Sequence, residues 1–170
     1  MTQILFYEPK QPYYEFSNFY GCKENNQFLL IIDDQYWLST EHYYQSSKFR
    51  GPLATQDSLE YAELVGTADT PNKALILANQ KKKGGYAAKW KHSKSENKTL
   101  NELIDQFKKK GVSLRADWDQ VKDTIMLKAN ICKYSQNKKL ADLLIQTKGN
   151  QIFEHTKRDS YWGTVVMVQD

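Results

Sequence analysis

Cysteine, histidine and proline are scarce in this chain, with two, three and four residues among 170. Cys22 and Cys132 lie far apart and form no metal-ligand spacing. That excludes a disulfide-stapled secreted domain and a zinc module, and both cysteines are expected to be reduced thiols. The histidines form no H-E-x-x-H pair and no triad with a cysteine or serine. No P-loop and no G-x-G-x-x-G fingerprint occurs either. Metal hydrolysis, kinase and Rossmann chemistry therefore lose support, and neither a metal nor a cofactor is expected. No apolar run approaches the roughly 18 residues of a membrane span. The opening residues, MTQILFYEPK, have neither a basic n-region nor a long apolar h-region. The expectation is a cytoplasmic, soluble protein without a membrane partner.

Aromatic rings, by contrast, are plentiful. They make up 13% of the residues, and 11 of them are tyrosines, within an apolar fraction of only 40%. Such a composition favours clefts where rings meet polar ligands. A chain of 170 residues can bury a core of its own and is expected to form one domain over 1–170. The charge is uneven. Residues 81–110 hold ten lysines against Glu96, Glu102 and Asp105, a surplus of seven, so a total of +4 leaves the remainder at −3. This block reads either as solvated surface or as a patch facing a polyanion.

Along the chain, "QFLLIIDDQYW" (27–37) suits a buried strand with Asp33–Asp34 as its turn. Ser39 is a good N-cap for a helix from about 40 to 50, stopped by Gly51–Pro52. Short helices are expected over 55–66 and from Pro71 towards Gly84–Gly85, with a further one over 95–111. The clearest is "RADWDQVKDTIMLKANICKYSQ", where Asp117 and Gln120 suggest a capping box. Its apolar stripe is Trp118, Val121, Ile125, Ala129 and Cys132. One more short helix and a strand at "NQIFEHT" precede a loop at "KRDSYWG". The class is α+β, mainly helical with a small sheet.

The segment "QYWLSTEHYYQSSKF" raises the functional question. Helical spacing puts Glu41, Tyr44, Gln45 and Lys48 on one stripe. An acid in the first turn is favoured by the helix dipole alone, and the stripe would suit an exposed face. It would equally suit a ligand with a ring and a phosphate. Trp118 is either a core anchor or a stacking platform at a cleft edge. "EHTKRDSYWG" gathers Glu154, Asp159 and Trp162 in one turn-rich segment. Carboxylates with aromatics fit the breaking of a glycosidic bond, where an acid activates water or stabilises an oxocarbenium-like centre and rings hold the leaving base.

Five blocks occur in order: "FSNFY" (16–20), "WLSTEHYYQSSKF" (37–49), "RADWDQVKDTIML" (115–127), "KYSQNKKLADLLIQT" (133–147) and "EHTKRDSYWG" (154–163). Together they resemble the YbiA-like or NADAR family, whose pattern is F-S-N-F, W-x-[ST]-x-E-x-Y-x-Q-x-x-K-F, R-x-D-W-x-x-x-K-x-x-x-M, K-[FY]-x-Q-N-x-x-L and E-x-x-x-x-D-x-x-W-G. The match spans roughly half the chain. The resemblance implies the YbiA-like fold and an N-glycosidase. Its members act on ribosylated aminouracil phosphates of early riboflavin synthesis, or remove ADP-ribose from guanine bases. Position by position, it implies Glu41, Trp118 and Asp159 as the catalytic set. Asn18, Tyr44, Lys48 and Arg115 would line the pocket, with Lys48 or Arg115 on phosphate, and Trp162–Gly163 would close it.

Two departures from the family pattern are visible. The family continues after W-G through a glycine-rich loop to N-x-L-G and a final helix, whereas this sequence stops seven residues after Gly163. A truncated or rebuilt C-terminal end is therefore expected. The stretch from about 81 to 113 is a lysine-rich insertion, which favours ADP-ribosylated nucleic acid over a free nucleotide-like substrate. Two other readings stand beside the enzyme: a module that binds ADP-ribose or a related nucleotide without hydrolysing it, and a nucleic-acid-binding domain acting through the lysines.

Overall fold

A computed structural model describes residues 2–21, 28–80, 94–156 and 161–165, the side chains of 94–97 and 164–165 excepted. Strand β1 (Gln3–Phe6) is followed by a 3-10 turn (Tyr14–Phe16) and the hairpin β2 (Ile31–Ile32) and β3 (Gln35–Tyr36). Six helices come next: α1 (Thr40–Ser47), α2 (Gln56–Gly66), α3 (Pro71–Asn79), α4 (Lys94–Lys109), α5 (Trp118–Gln136) and α6 (Lys138–Gln146). Strands β4 (Gln151–Thr156) and β5 (Thr164–Val165) complete the fold. It is the expected mainly helical α+β class.

Two small sheets frame the helices. In one, β4 lies between β1 and β5 and is parallel to both, with Gln3 opposite Gln151 and His155 opposite Thr164. The other is the antiparallel hairpin of β2 and β3. Its turn uses Asp33 and Asp34 at φ 54° and 60°. Positive φ at both central residues matches the twist of the flanking strands. The expected single strand thus turns back on itself at its two aspartates. On the outer edge of β2, Ile31 and the Gln136 side chain exchange both hydrogen bonds, and Leu29 does the same with Asn137.

Capping residues set the helix starts. Ser39, Thr55 and Thr70 each accept a backbone N–H of the first turn through the side chain, and Pro71 occupies the first position of α3. Helix α1 stops at Ser47, before the expected 50. Bonds from Lys48, Phe49 and Arg50 to the carbonyls three residues back tighten its end instead. Helix α3 ends at Asn79 with Gln80 in the left-handed region, and the expected stop at Gly84–Gly85 lies outside the described residues. The expected capping box of α5 is absent. The Asp117 carboxylate is taken bidentately by Arg115, at 2.6 and 2.7 Å. A charge-assisted pair of that geometry outcompetes one backbone N–H.

Helix α1 runs through the middle of the molecule, and every one of its residues is buried. Phe49, just past its end, enters a cluster with Tyr61, Val65, Leu77, Ile104 and Val112. Tyr43 joins Leu30, Ile32, Trp37, Ala129 and Leu140, while Tyr44 joins Trp118 and Met126. A helix surrounded in this way has to find partners for its polar side chains inside the protein, and among the described residues Thr40 Oγ1 and Gln45 Oε1 are the exceptions on α1. Ser46 donates to the Ala62 carbonyl and Ser47 to that of Tyr43, both at 2.7 Å. The second half of the lysine-rich insertion is part of this core rather than an appended arm, because α4 packs Leu100, Leu103, Ile104 and Phe107 against α2 and α3.

Candidate active site

The start of α1 is fixed from outside by the segment that carries Asn18. Its N–H groups, which have no partner inside the helix, are met in turn. Glu41 donates its N–H to the Asn18 carbonyl at 3.0 Å, and the Ser39 side chain accepts from His42. Gly21 pairs with Ser39 as an isolated antiparallel bridge. Only glycine fits at 21: its φ is +129°, and a Cβ there would lie 2.4 Å from the Leu38 carbonyl oxygen. Residues 17–21 are thereby laid flush against 39–41.

Glu41 is 6% exposed, which removes the exposed-face reading of its stripe. Gln45, one turn on, donates its amide to Glu41 Oε1 at 2.7 Å. The Gln45 amide oxygen is buried without a hydrogen-bond partner among the described residues. Beside this pair stands an aromatic wall. Tyr44 meets Trp118 at 5.0 Å between centroids, tilted by 59°, and receives Trp162 edge-on at 5.8 Å. The Lys48 ammonium lies 5.7 Å from both the Tyr44 and Trp118 ring centroids, within cation–π range. Burial, above all, raises the Tyr44 pKa; the Trp162 side chain lowers it by hydrogen bonding, and the Glu41 charge adds to the rise. The Tyr44 hydroxyl therefore stays protonated at neutral pH.

His42 sits in the same turn yet is unsuited to proton transfer. Its Nε2–H donates to the Ala68 carbonyl at 3.0 Å, which leaves Nδ1 to accept from the Ser39 hydroxyl at 2.7 Å. Burial holds its pKa down to about 4, against weaker upward pulls from the Ala68 carbonyl and Asp69. It is a neutral structural imidazole.

Of the residues singled out from sequence, Glu41, Tyr44, Lys48, Trp118 and Trp162 gather around α1, with Asn18 bound to its first turn through its backbone. Trp118 packs into the core against Tyr44 and Met126, so the core-anchor reading describes its surroundings. Arg115 is drawn into the framework. Besides its Asp117 pair, it donates to the Arg50 carbonyl at 3.2 Å, and its backbone N–H reaches the Lys48 carbonyl at 2.9 Å. Gly163 and Trp162 line an open cleft of about 230 Å³ with Ile152, Phe153, Glu154 and Tyr161. The Tyr161 hydroxyl donates to Asp123 on α5 at 2.7 Å and anchors this rim. Asp159 lies outside the described residues, as do Cys22 and lysines 81–83.

Two residues of this region escape the sequence reading as site members. Gln45 stands on the recognised stripe, but its bond to Glu41 is visible only in three dimensions. Lys133 interrupts the most buried line of α5, Met126–Ala129–Lys133. A lysine in register with core positions was the available signal. Among the described residues no group of three or more histidine, cysteine, aspartate or glutamate side chains could hold a metal ion, and no helix is long and apolar enough to cross a membrane.

The NADAR domain family model matches residues 5–170. The chain belongs to the NADAR domain family. An N-glycosidase of Nostoc punctiforme is 29% identical over 160 residues, covering 94% of this chain and 78% of that protein. The N-glycosidase YbiA of Escherichia coli is 26% identical over 162 residues, covering 95% and 75%. The NMR structure of E. coli YbiA superposes with a TM-score of 0.62, covering 95% of this NADAR chain and 71% of that one. A chloroplastic riboflavin biosynthesis protein of Zea mays is 26% identical over 94% of this chain, which matches 21% of that longer protein.

Proposed function

We propose that this NADAR protein is an N-glycosidase that hydrolyses the bond between a ribose, or the ribose of ADP-ribose, and a base. The observation that carries the reading is the buried Glu41 carboxylate at the start of α1, braced by Gln45 and flanked by the Tyr44–Trp118 ring pair with Lys48 above both rings. The names of its N-glycosidase relatives support the same reaction class.

In this reaction water adds its oxygen to the anomeric carbon as the C–N bond breaks. The bonding pair leaves with the base nitrogen, which gains one water proton, and the other stays on the new sugar hydroxyl. Positive charge develops at the anomeric carbon on the way. A carboxylate fixed in a low-dielectric site stabilises that charge without reorganising. Glu41 takes this role, and Asp159 supplies the second carboxylate through its place in the D-x-x-W-G block. Tyr44, Trp118 and Trp162 offer faces and edges to the base, and Lys48 offers charge to a phosphate. Asn18 serves through its backbone, and Arg115 by fixing the segment that leads into Trp118 at the start of α5.

Two substrates are compared in the deciding experiment, a ribosylaminouracil phosphate and guanine-ADP-ribosylated DNA, with the released base followed by chromatography. The Glu41→Gln protein should fold and bind but turn over at least about 100-fold more slowly, the lower range for a lost acid–base or electrostatic group. Unchanged base release by that variant sinks the proposal. Tight binding with no release by the unaltered protein would instead identify a binding module.

A further inference from the structure

Lys133 is an ionisable group in a place where charge is costly. It is fully buried on the inner line of α5. Its Nζ donates to the Ser17 carbonyl at 2.8 Å and lies 5.7 Å from the Tyr20 ring and 5.5 Å from the Tyr134 ring. Among the described residues the carboxylates that act on it are Glu15, from the 3-10 turn, and Glu154, from β4. Burial pulls its pKa down to about 7, and those two carboxylates only partly oppose this. An apolar side chain would fill the same space more cheaply, so the contribution particular to the amine is the bond it makes.

What it holds is the Ser17 carbonyl, one peptide before the carbonyl that accepts the Glu41 N–H at 3.0 Å. The Ser17 side chain folds the same turn by accepting from the Phe19 N–H at 3.2 Å. We infer that Lys133 is a positioning residue for Glu41, tying α5 to the Ser17–Asn18 turn from which the first turn of α1, and with it the Glu41 carboxylate, is hung. The catalytic consequence rests on the N-glycosidase reading, whereas the mechanical link does not. A protonated amine grips the carbonyl with charge assistance, and a neutral one grips it more loosely.

The link is tested on the unaltered protein by NMR. Across pH 6 to 9 the backbone amide resonances of Asn18 and Glu41 should titrate with the same midpoint as the Lys133 13Cε resonance. Amides that stay still while Lys133 titrates, or that move with another midpoint, overturn the inference. Its consequence is tested with Lys133→Met. If the variant's circular dichroism matches the unaltered protein, kcat on the better substrate should fall about 10- to 100-fold, the scale of a misplacement near 1 Å. KM should stay within about threefold, and the pH dependence of kcat above neutrality should flatten. A kcat equal to that of the unaltered protein overturns the positioning role. A variant that fails to fold leaves the decision to the NMR titration. Full activity of Glu41→Gln together with coupled amides would sink the enzymatic reading and leave the link standing. An inactive Glu41→Gln with silent amides would do the reverse.

Discussion

Replacing Lys133 by methionine should stabilise the protein below neutral pH, although it deletes a buried hydrogen bond. The lysine titrates near 7 in place of its usual 10.5. At 1.36 kcal/mol per unit, the folded state bears a cost of about 5 kcal/mol while the amine is charged. Because the folded pKa is depressed, the unfolded chain binds the extra proton between pH 7 and 10.5. Stability therefore rises with pH across that window and is lowest below it. Methionine has similar length and no charge, so it removes the cost. It also strands the Ser17 carbonyl, a loss of about 1–3 kcal/mol for an unsatisfied buried group. The net expectation at pH 6 is a gain of about 2–4 kcal/mol that shrinks as pH rises and turns into a loss of up to about 2 kcal/mol by pH 10. Urea unfolding followed by tryptophan fluorescence, at a series of pH values for both proteins, measures it. A methionine variant less stable than the unaltered protein at pH 6, or a gap that does not change with pH, refutes the reasoning.

The depressed His42 pKa makes a second acid-sensitive element. Stability is fully present above about 6.5 and is lost as pH falls towards 4, by about 3 kcal/mol at 1.36 kcal/mol per unit. His42→Gln should show a shallower acid limb in the same unfolding assay. Tyr134, raised to about 12 by burial, gives the opposite alkaline behaviour: its contribution is complete below pH 10 and is lost as pH climbs to 12. Tyr134→Phe should flatten that limb in alkaline unfolding. Gly21→Ala, with its Cβ driven against the Leu38 carbonyl at a φ that L residues rarely adopt, should cost more than about 2 kcal/mol in urea unfolding. Trp118→Phe keeps a ring in the core and should raise KM about fivefold, near 1 kcal/mol of stacking, and steady-state kinetics would show it.

Much of the helical layout was legible because local chemistry decides it: Ser39 caps α1 as a side-chain acceptor must, and Pro71 starts α3. The parallel sheet was not, since β1 finds β4 across 148 residues and neither strand carries a mark of its partner. Asp117 misled because Arg115, two residues earlier, offered it a stronger bond than the helix N-terminus. The stripe of Glu41, Tyr44, Gln45 and Lys48 was readable, but its burial was not. A helix that reads TEHYYQSS has only its two tyrosines as large apolar groups, and its polar side chains are satisfied partly by residues a turn away and partly by carbonyls distant in sequence, those of Ala62 and Ala68. Lys133 was hidden for a related reason: a lysine is read as surface unless something shows what its nitrogen reaches.

The paired amides of Gln136 and Asn137 have a consequence for how this protein behaves in a crowd of its own copies. Strand β2 is short, its own Ile31 and the preceding Leu29 turn apolar side chains outward, and its free backbone edge would otherwise invite another chain to add a strand. Two side-chain amides occupy that edge and imitate the missing neighbour, bond for bond. They thereby remove a template for aggregation. Converting both to alanine would expose the edge, and would also remove the bond from the Asn137 amide to the Lys133 carbonyl, so self-association should become a limiting property of the purified protein.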